Sequence, residues 1–108
     1  MAALVTTPIT TSGVVLGVLA AASVGGDTIT ASDRTFLVVK NADTVPHTVT
    51  LVTPGNVSGL AIADKPVVVT NGTTALIGPF GSVFIDPTGI ISVTYDAVTS
   101  VTVGAFTI

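Results

Sequence analysis

The sequence predicts an all-β fold, and three observations carry the prediction. Threonine, valine and isoleucine supply 46 of the 108 residues, and their stiffness at χ1 suits pleated surfaces better than helices. Glutamate and glutamine are absent and lysine occurs only twice, so the residues that usually cover helix surfaces are missing. Turn signals built on Gly, Pro, Asn and Asp separate short apolar runs along the whole chain, as in a sandwich or small barrel. Together they predict a single antiparallel β-sandwich of eight to ten short strands. The length is that of one domain, divided into an N-terminal arm over residues 1–12 and a sandwich domain over residues 13–108.

The elements follow in chain order. Residues 1–12 are Thr-rich and interrupted by Pro8, which cannot donate in a ladder, so they form an arm or edge strand. Residues 13–24 are the most apolar run and read as one or two buried strands, with Gly17 marking a bulge or a close backbone approach. Gly25-Gly26-Asp27 turns into the short strand Thr28–Thr30, and Ala31-Ser32-Asp33 turns again. The clearest statement is Arg34–Pro54, where Phe36, Val38 and Lys40 alternate with Thr35, Leu37 and Val39. The period of two resumes at His47, Val49 and Leu51 after the polar Asn41-Ala42-Asp43. This reads as an antiparallel hairpin.

Residues 57–63 read as a loop or short helical turn whose Leu60 and Ile62 plug one end of the core. Asn71-Gly72 lies between β-branched runs and signals a second hairpin with a type I′ turn. Gly78-Pro79-Phe80-Gly81 bends the chain into a short strand over Ser82–Ile85, and Asp86-Pro87-Thr88-Gly89 is a turn in which Pro fixes φ. Ile91, Val93 and Tyr95 alternate with Ser92 and Thr94. In the last strand, residues 98–108, Val101, Val103 and Ala105 share one face while Phe106 and Ile108 fall on the other with Thr102. Either Gly104 carries a bulge that resets the facing, or two large apolar groups point outward and mark a subunit contact.

Composition also limits function. No cysteine is present, so there is no disulfide, thiolate nucleophile or cysteine-ligated zinc. Arg34, Lys40 and Lys65 are the only basic side chains besides His47, too few to neutralise a phosphate backbone, which argues against nucleic acid. The apolar run at 13–24 is too short to span a membrane. It also lacks the basic start of a signal peptide, although Ala20-Ala21-Ala22 imitates a cleavage site. Charged residues make up 8% of the chain and the net charge is −3. So weakly charged a surface suits a chain whose faces are partly hidden in an assembly.

Candidate chemistry is sparse. His47, the single histidine, lies on the Val49 and Leu51 face and reads as a satisfied core or interface residue. The six acids, Asp27, Asp33, Asp43, Asp64, Asp86 and Asp96, sit at turns or strand ends, where Asp bonds nearby backbone. None has the spacing of a calcium loop. No serine stands in a nucleophile-elbow context, and Gly78-Pro79-Phe80-Gly81 has neither the lysine nor the helix of a phosphate loop. No enzyme, metal or cofactor is expected. With one Tyr and four Phe, an aromatic carbohydrate platform is missing too.

Several stretches carry a resemblance: the Gly25-Gly26-Asp27 turn, Thr35–Asn41 (TFLVVKN), residues 57–64 (VSGLAIAD), Ile77-Gly78-Pro79-Phe80, and residues 91–103 (ISVTYDAVTSVTV). Through them the chain resembles small β-rich virion proteins encoded among the head genes of tailed bacteriophages, especially phages of actinobacteria. The resemblance covers nearly the whole chain as a pattern of Thr/Val strands and turns. It implies a head decoration or minor capsid protein with a jelly-roll-like sandwich. Such a protein is made in the host cytoplasm and seated on the outer surface of the capsid. Its partner would be the major capsid protein, and its own state a homo-oligomer, a trimer before others.

The expected contact set joins the arm (Val5, Pro8, Ile9), the turn (Gly78, Pro79, Phe80) and the C-terminal end (Phe106, Ile108). Two other readings compete. A tail or head–tail joining protein would form a ring, and an extracellular carbohydrate-binding or adhesion module would need a signal sequence and an aromatic platform.

Overall fold

Strong β propensity is realised throughout a computed structural model that describes residues 2–14, 19–30, 32 and 34–108. The described residues form twelve strands: β1 (Ala2–Ala3), β2 (Thr6–Pro8), β3 (Ala20–Ala21), β4 (Asp27–Thr30), β5 (Thr35–Asn41), β6 (His47–Leu51), β7 (Asn56–Val57), β8 (Leu60–Ala61), β9 (Lys65–Val69), β10 (Thr73–Ile77), β11 (Ile90–Tyr95) and β12 (Val101–Thr107). The excess over eight to ten lies in β1, β3, β7 and β8, two residues each. A pairing that short leaves no periodicity in the sequence. The expected strand at Ser82–Ile85 is instead a 3-10 turn over Ser82–Phe84, followed by a single bridge from Ile85 to Ile91.

Two sheets enclose one core. The first runs in the order β1-β4-β11-β6-β9. The second runs β10-β5-β12-β2, with β3 also on β12, and β7 and β8 pair separately. Ile29, Val49, Leu51, Val69, Ile91 and Val93 from the first sheet meet Leu37, Val39, Ile77, Val101, Val103 and Ala105 from the second in a single buried cluster. Each such Val, Leu or Ile side chain contributes roughly 1.5–3 kcal/mol of burial free energy.

The architecture is therefore all-β and sandwich-like. It is mixed rather than purely antiparallel, because β1 lies parallel to β4 and β2 parallel to β12. Both parallel pairs come from the N-terminal segment, which crosses from one sheet to the other and is paired in each.

The expected Arg34–Pro54 hairpin is overturned. β5 pairs β10 and β12 while β6 pairs β11 and β9, so the two runs lie in opposite sheets. Hydrophobic alternation only requires each strand to bury one face, and a corner between sheets satisfies it as well as a hairpin does. Asn41 makes the corner. Fully buried, its Nδ2 donates to Val45 O and Val69 O, both at 3.0 Å, while its Oδ1 accepts from Asp43 N–H at 3.0 Å. Asn71-Gly72 likewise joins the two sheets instead of closing a hairpin. Only Gly72 has positive φ there, whereas a type I′ turn needs two such residues.

The tight two-residue hairpin lies elsewhere. Ser58 (φ 52°) and Gly59 (φ 78°) both adopt left-handed backbone and join β7 to β8. Leu60 is exposed and Ile62 half-buried, so this excursion does not plug the core. Thr53 and Asp64 close its base: Thr53 N–H donates to Asp64 Oδ1 at 2.9 Å, and the Thr53 hydroxyl donates to Ile62 O at 2.6 Å. The antiparallel pairs thus nest, β4 with β11, β5 with β10, β6 with β9 and β7 with β8.

Facing in the last strand is settled by register. β12 pairs β5 without a break from Val101 opposite Asn41 to Thr107 opposite Thr35, so Gly104 carries no bulge. Phe106 faces the outer side of the second sheet, yet the chain itself covers it. Its ring stacks on Phe36 at 5.9 Å, and Leu19 lies so close over Gly104 that an added Cβ would sit 2.6 Å from Leu19 Cδ2. The bulge expected at Gly17 and the turn residues Ala31 and Asp33 lie outside the described residues. Of the apolar run at 13–24, the described part gives only β3, which is exposed, and the buried Ala22.

Candidate interaction surface

The titratable groups come first, since chemistry would begin there. His47 opens β6 at the β5–β6 corner and is buried. Its Nε2 lies 2.8 Å from Asp43 Oδ2, and its Nδ1 lies 3.1 Å from Asp96 Oδ1. Both partners are acceptors, so the imidazolium form, in which both ring nitrogens donate, is the one that satisfies both contacts. The bond to Asp43, seconded by Asp96, raises the His47 pKa above its ordinary value against the opposing effect of burial. His47 in turn holds the Asp43 carboxyl below its ordinary range. Burial works to raise Asp96, but backbone bonds at Thr48 and the His47 ring leave it lowered.

The two carboxylates approach opposite edges of the ring and do not converge on a point. Among the described residues no cluster of His and Asp could hold a metal ion. The arrangement is a clamp joining the β5–β6 and β11–β12 corners.

This clamp has a predicted pH dependence. A histidine with raised folded pKa stabilises fully below about pH 6.5 and loses that contribution as pH rises through the folded value. Asp43 and Asp96, whose pKa values are lowered, stabilise above about pH 4 and lose their contribution as pH falls. The urea midpoint should therefore decline between neutral and mildly alkaline pH. In His47→Gln that decline should disappear, because the chain has no other histidine. An unchanged decline in the variant would contradict the clamp.

Asp27 differs from the other described acids and was not legible as such. It is fully buried at the start of β4, where its Oδ2 accepts the Tyr95 hydroxyl at 2.7 Å and Ser23 N–H at 3.3 Å. Burial, and then the bond to Asp27, push the Tyr95 phenol far up. Asp86 is a turn acid as expected: its Oδ1 accepts from Thr88 N–H and hydroxyl and from Ile90 N–H. The Thr88 bond leads in lowering its pKa.

A different kind of site forms at one end of the second sheet. Strand directions bring together the C-terminal ends of β10, β12 and β2 and the N-terminal end of β5. Ile9 N–H donates to Thr107 O at 2.8 Å, and Ile108 N–H donates to Arg34 O at 3.2 Å. A groove of about 420 Å³ opens there, lined by Phe36, Leu76, Ile77, Gly78, Pro79 and Ile108, with Arg34 as its one charged residue. A neighbouring hollow is lined by Leu4, Val5 and Thr6 against Thr35 and Thr107.

The three expected contact segments, far apart in sequence, thus meet at one end of the molecule. Val5 (86% exposed), Pro8, Ile9, Gly78, Pro79 and Ile108 (72% exposed) lie at the surface. Phe80 and Phe106 do not. Phe80 is 5% exposed and meets Phe84 edge-on at 6.4 Å within the core, and Phe106 is 1% exposed under its own chain. Neither ring lies at the surface in this fold, unlike the other six expected contact residues.

Arg34, Phe36 and Leu76 were missed. For Leu76 a signal existed, since alternation puts it on the face opposite Ala75 and Ile77. The groove as a whole arises from long-range pairing. Comparison of the chain with known protein families, with curated proteins and with solved structures finds no match in any of the three.

Proposed function

We propose that this chain is a structural virion protein that binds the outer surface of a tailed-phage head and stabilises contacts between major capsid subunits. The observation that carries the reading is the weakly charged apolar end, assembled from the arm, the Gly78-Pro79 turn and the C-terminal residues. A docking protein of this kind works by covering surface on its partner, and an apolar centre with few charges is the composition such contacts favour. The nested strand pairs support a jelly-roll-like body, and the resemblance through Thr35–Asn41 and residues 91–103 points to the same class. In this reading the protein is made in the host cytoplasm and assembles on the capsid as a homo-oligomer, without a cofactor.

Ile108→Asp and Val5→Asp test the docking end. Both residues are exposed, so folding should be retained, while a carboxylate buried in an apolar contact is costly. Binding of each variant to capsids stripped of the wild-type protein should weaken at least about tenfold, equivalent to roughly 1.4 kcal/mol. Unaltered binding by both variants would remove this end from the contact.

A further inference from the structure

Among the described residues no strand pairs the outer edge of β10 in the second sheet, and the chemistry of that edge defines what can cover it. β10 is the terminal strand of that sheet. Ala42 N–H donates to Ser100 O at 2.9 Å and Ile108 N–H donates to Arg34 O at 3.2 Å, so the even-numbered positions of β5 turn their backbone groups towards β12. The odd-numbered positions serve β10, as Asn41 O does in accepting Gly72 N–H at 2.8 Å. In an antiparallel ladder, residues opposite one another alternate between bonded and non-bonded pairs. Ala75 and Ile77, opposite Val39 and Leu37, are therefore bonded to β5. The N–H and C=O groups of Thr74 and Leu76 point out of the sheet edge.

Proteins usually guard such an edge with Lys, Pro, a bulge or a covering loop. The terminal strand of the first sheet, β9, is guarded in this way by Lys65 and Pro66. β10 (Thr-Thr-Ala-Leu-Ile) carries no charge and no proline, and its Leu76 is 70% exposed.

We infer that β10 is a self-association edge, pairing antiparallel with β10 of a second copy about a two-fold axis at Ala75. Only this register pairs both outward residues with residues inside β10 of the other copy. Thr74 then faces Leu76 of the other copy and Leu76 faces Thr74, forming two bonded pairs and using all four free backbone groups of each strand. No like charges meet, because the strand has none. The axis runs normal to the sheet, so the exposed Leu76 side chains of the two copies lie on the same side of the joined sheets. This two-fold contact differs from the trimer that the resemblance implies, and it does not depend on the virion reading.

Sedimentation velocity over a dilution series tests the contact, with far-UV circular dichroism as the check on folding. The wild-type chain should sediment as a dimer. Leu76→Lys, which puts like charges beside the axis, should raise the dissociation constant at least tenfold with an unchanged spectrum. Thr74→Pro removes a donor that β5 does not use, so it should also give a folded monomer; if it unfolds, Leu76→Lys decides. A wild-type chain that is monomeric or trimeric throughout, or a dimer that survives Leu76→Lys, overturns the inference.

Discussion

Gly26→Ala is expected to destabilise the domain by about 4 kcal/mol or more, a large part of the roughly 5–15 kcal/mol that holds a domain folded. Gly26 sits at φ 105°, and a Cβ added there would lie 2.2 Å from the backbone carbonyl oxygen of Val93. That oxygen belongs to β11, which pairs β4 directly after the Gly25-Gly26 turn. A backbone atom cannot swing away as a long side chain can, so the strands must separate at Val93. Gly25 is the internal control. Its φ is 89°, but an added Cβ meets nothing within 4 Å. Gly25→Ala should therefore cost only the left-handed backbone strain, about 1 kcal/mol. Urea denaturation of the two variants separates clash from strain. Equal effects would mean that the approach of Gly26 to Val93 does not constrain the fold.

Asn41→Ala should cost about 3 kcal/mol. Its amide satisfies the carbonyls of Val45 and Val69, and its carbonyl holds Asp43 N–H. Truncation orphans buried polar groups as well as losing the bonds, and an orphaned buried group costs about 1–3 kcal/mol. Asn41→Asp should be worse than Asn41→Ala at neutral pH, since it sets a carboxylate against two carbonyl oxygens with no donor between them. Denaturant midpoints of the two variants measure this ordering. An Asp variant as stable as the wild type would show that Asn41 does not fasten the corner.

These two residues also mark where the sequence was and was not readable. The faces of β5, β6 and β11 follow from alternation, and Leu37, Val39, Val49, Leu51, Ile91 and Val93 are all buried as that pattern requires. Sheet membership was not legible, because a run with one apolar face fits a hairpin partner or the opposite sheet equally. Asn41 looked like an ordinary turn residue, and only its contact with Val69, 28 positions away, makes it a corner. Pro79 was recognisable as surface from turn chemistry, but parity treats Ile108 and Phe106 alike, and only Ile108 is exposed. Phe80 was not placed correctly, since nothing adjacent to a Gly-Pro bend reveals that the ring folds back onto Phe84. Asp43 and His47 are four residues apart, but Asp96 joins them from 49 positions beyond His47, a distance no local pattern spans.

Counting this chain against the major capsid protein by quantitative mass spectrometry of purified virions tests the proposed role most directly. Decoration of the shell predicts one copy per capsid subunit or a simple fraction of that number. A handful of copies per particle would place the chain in the tail or neck instead, and its complete absence from the particle would contradict the virion reading outright.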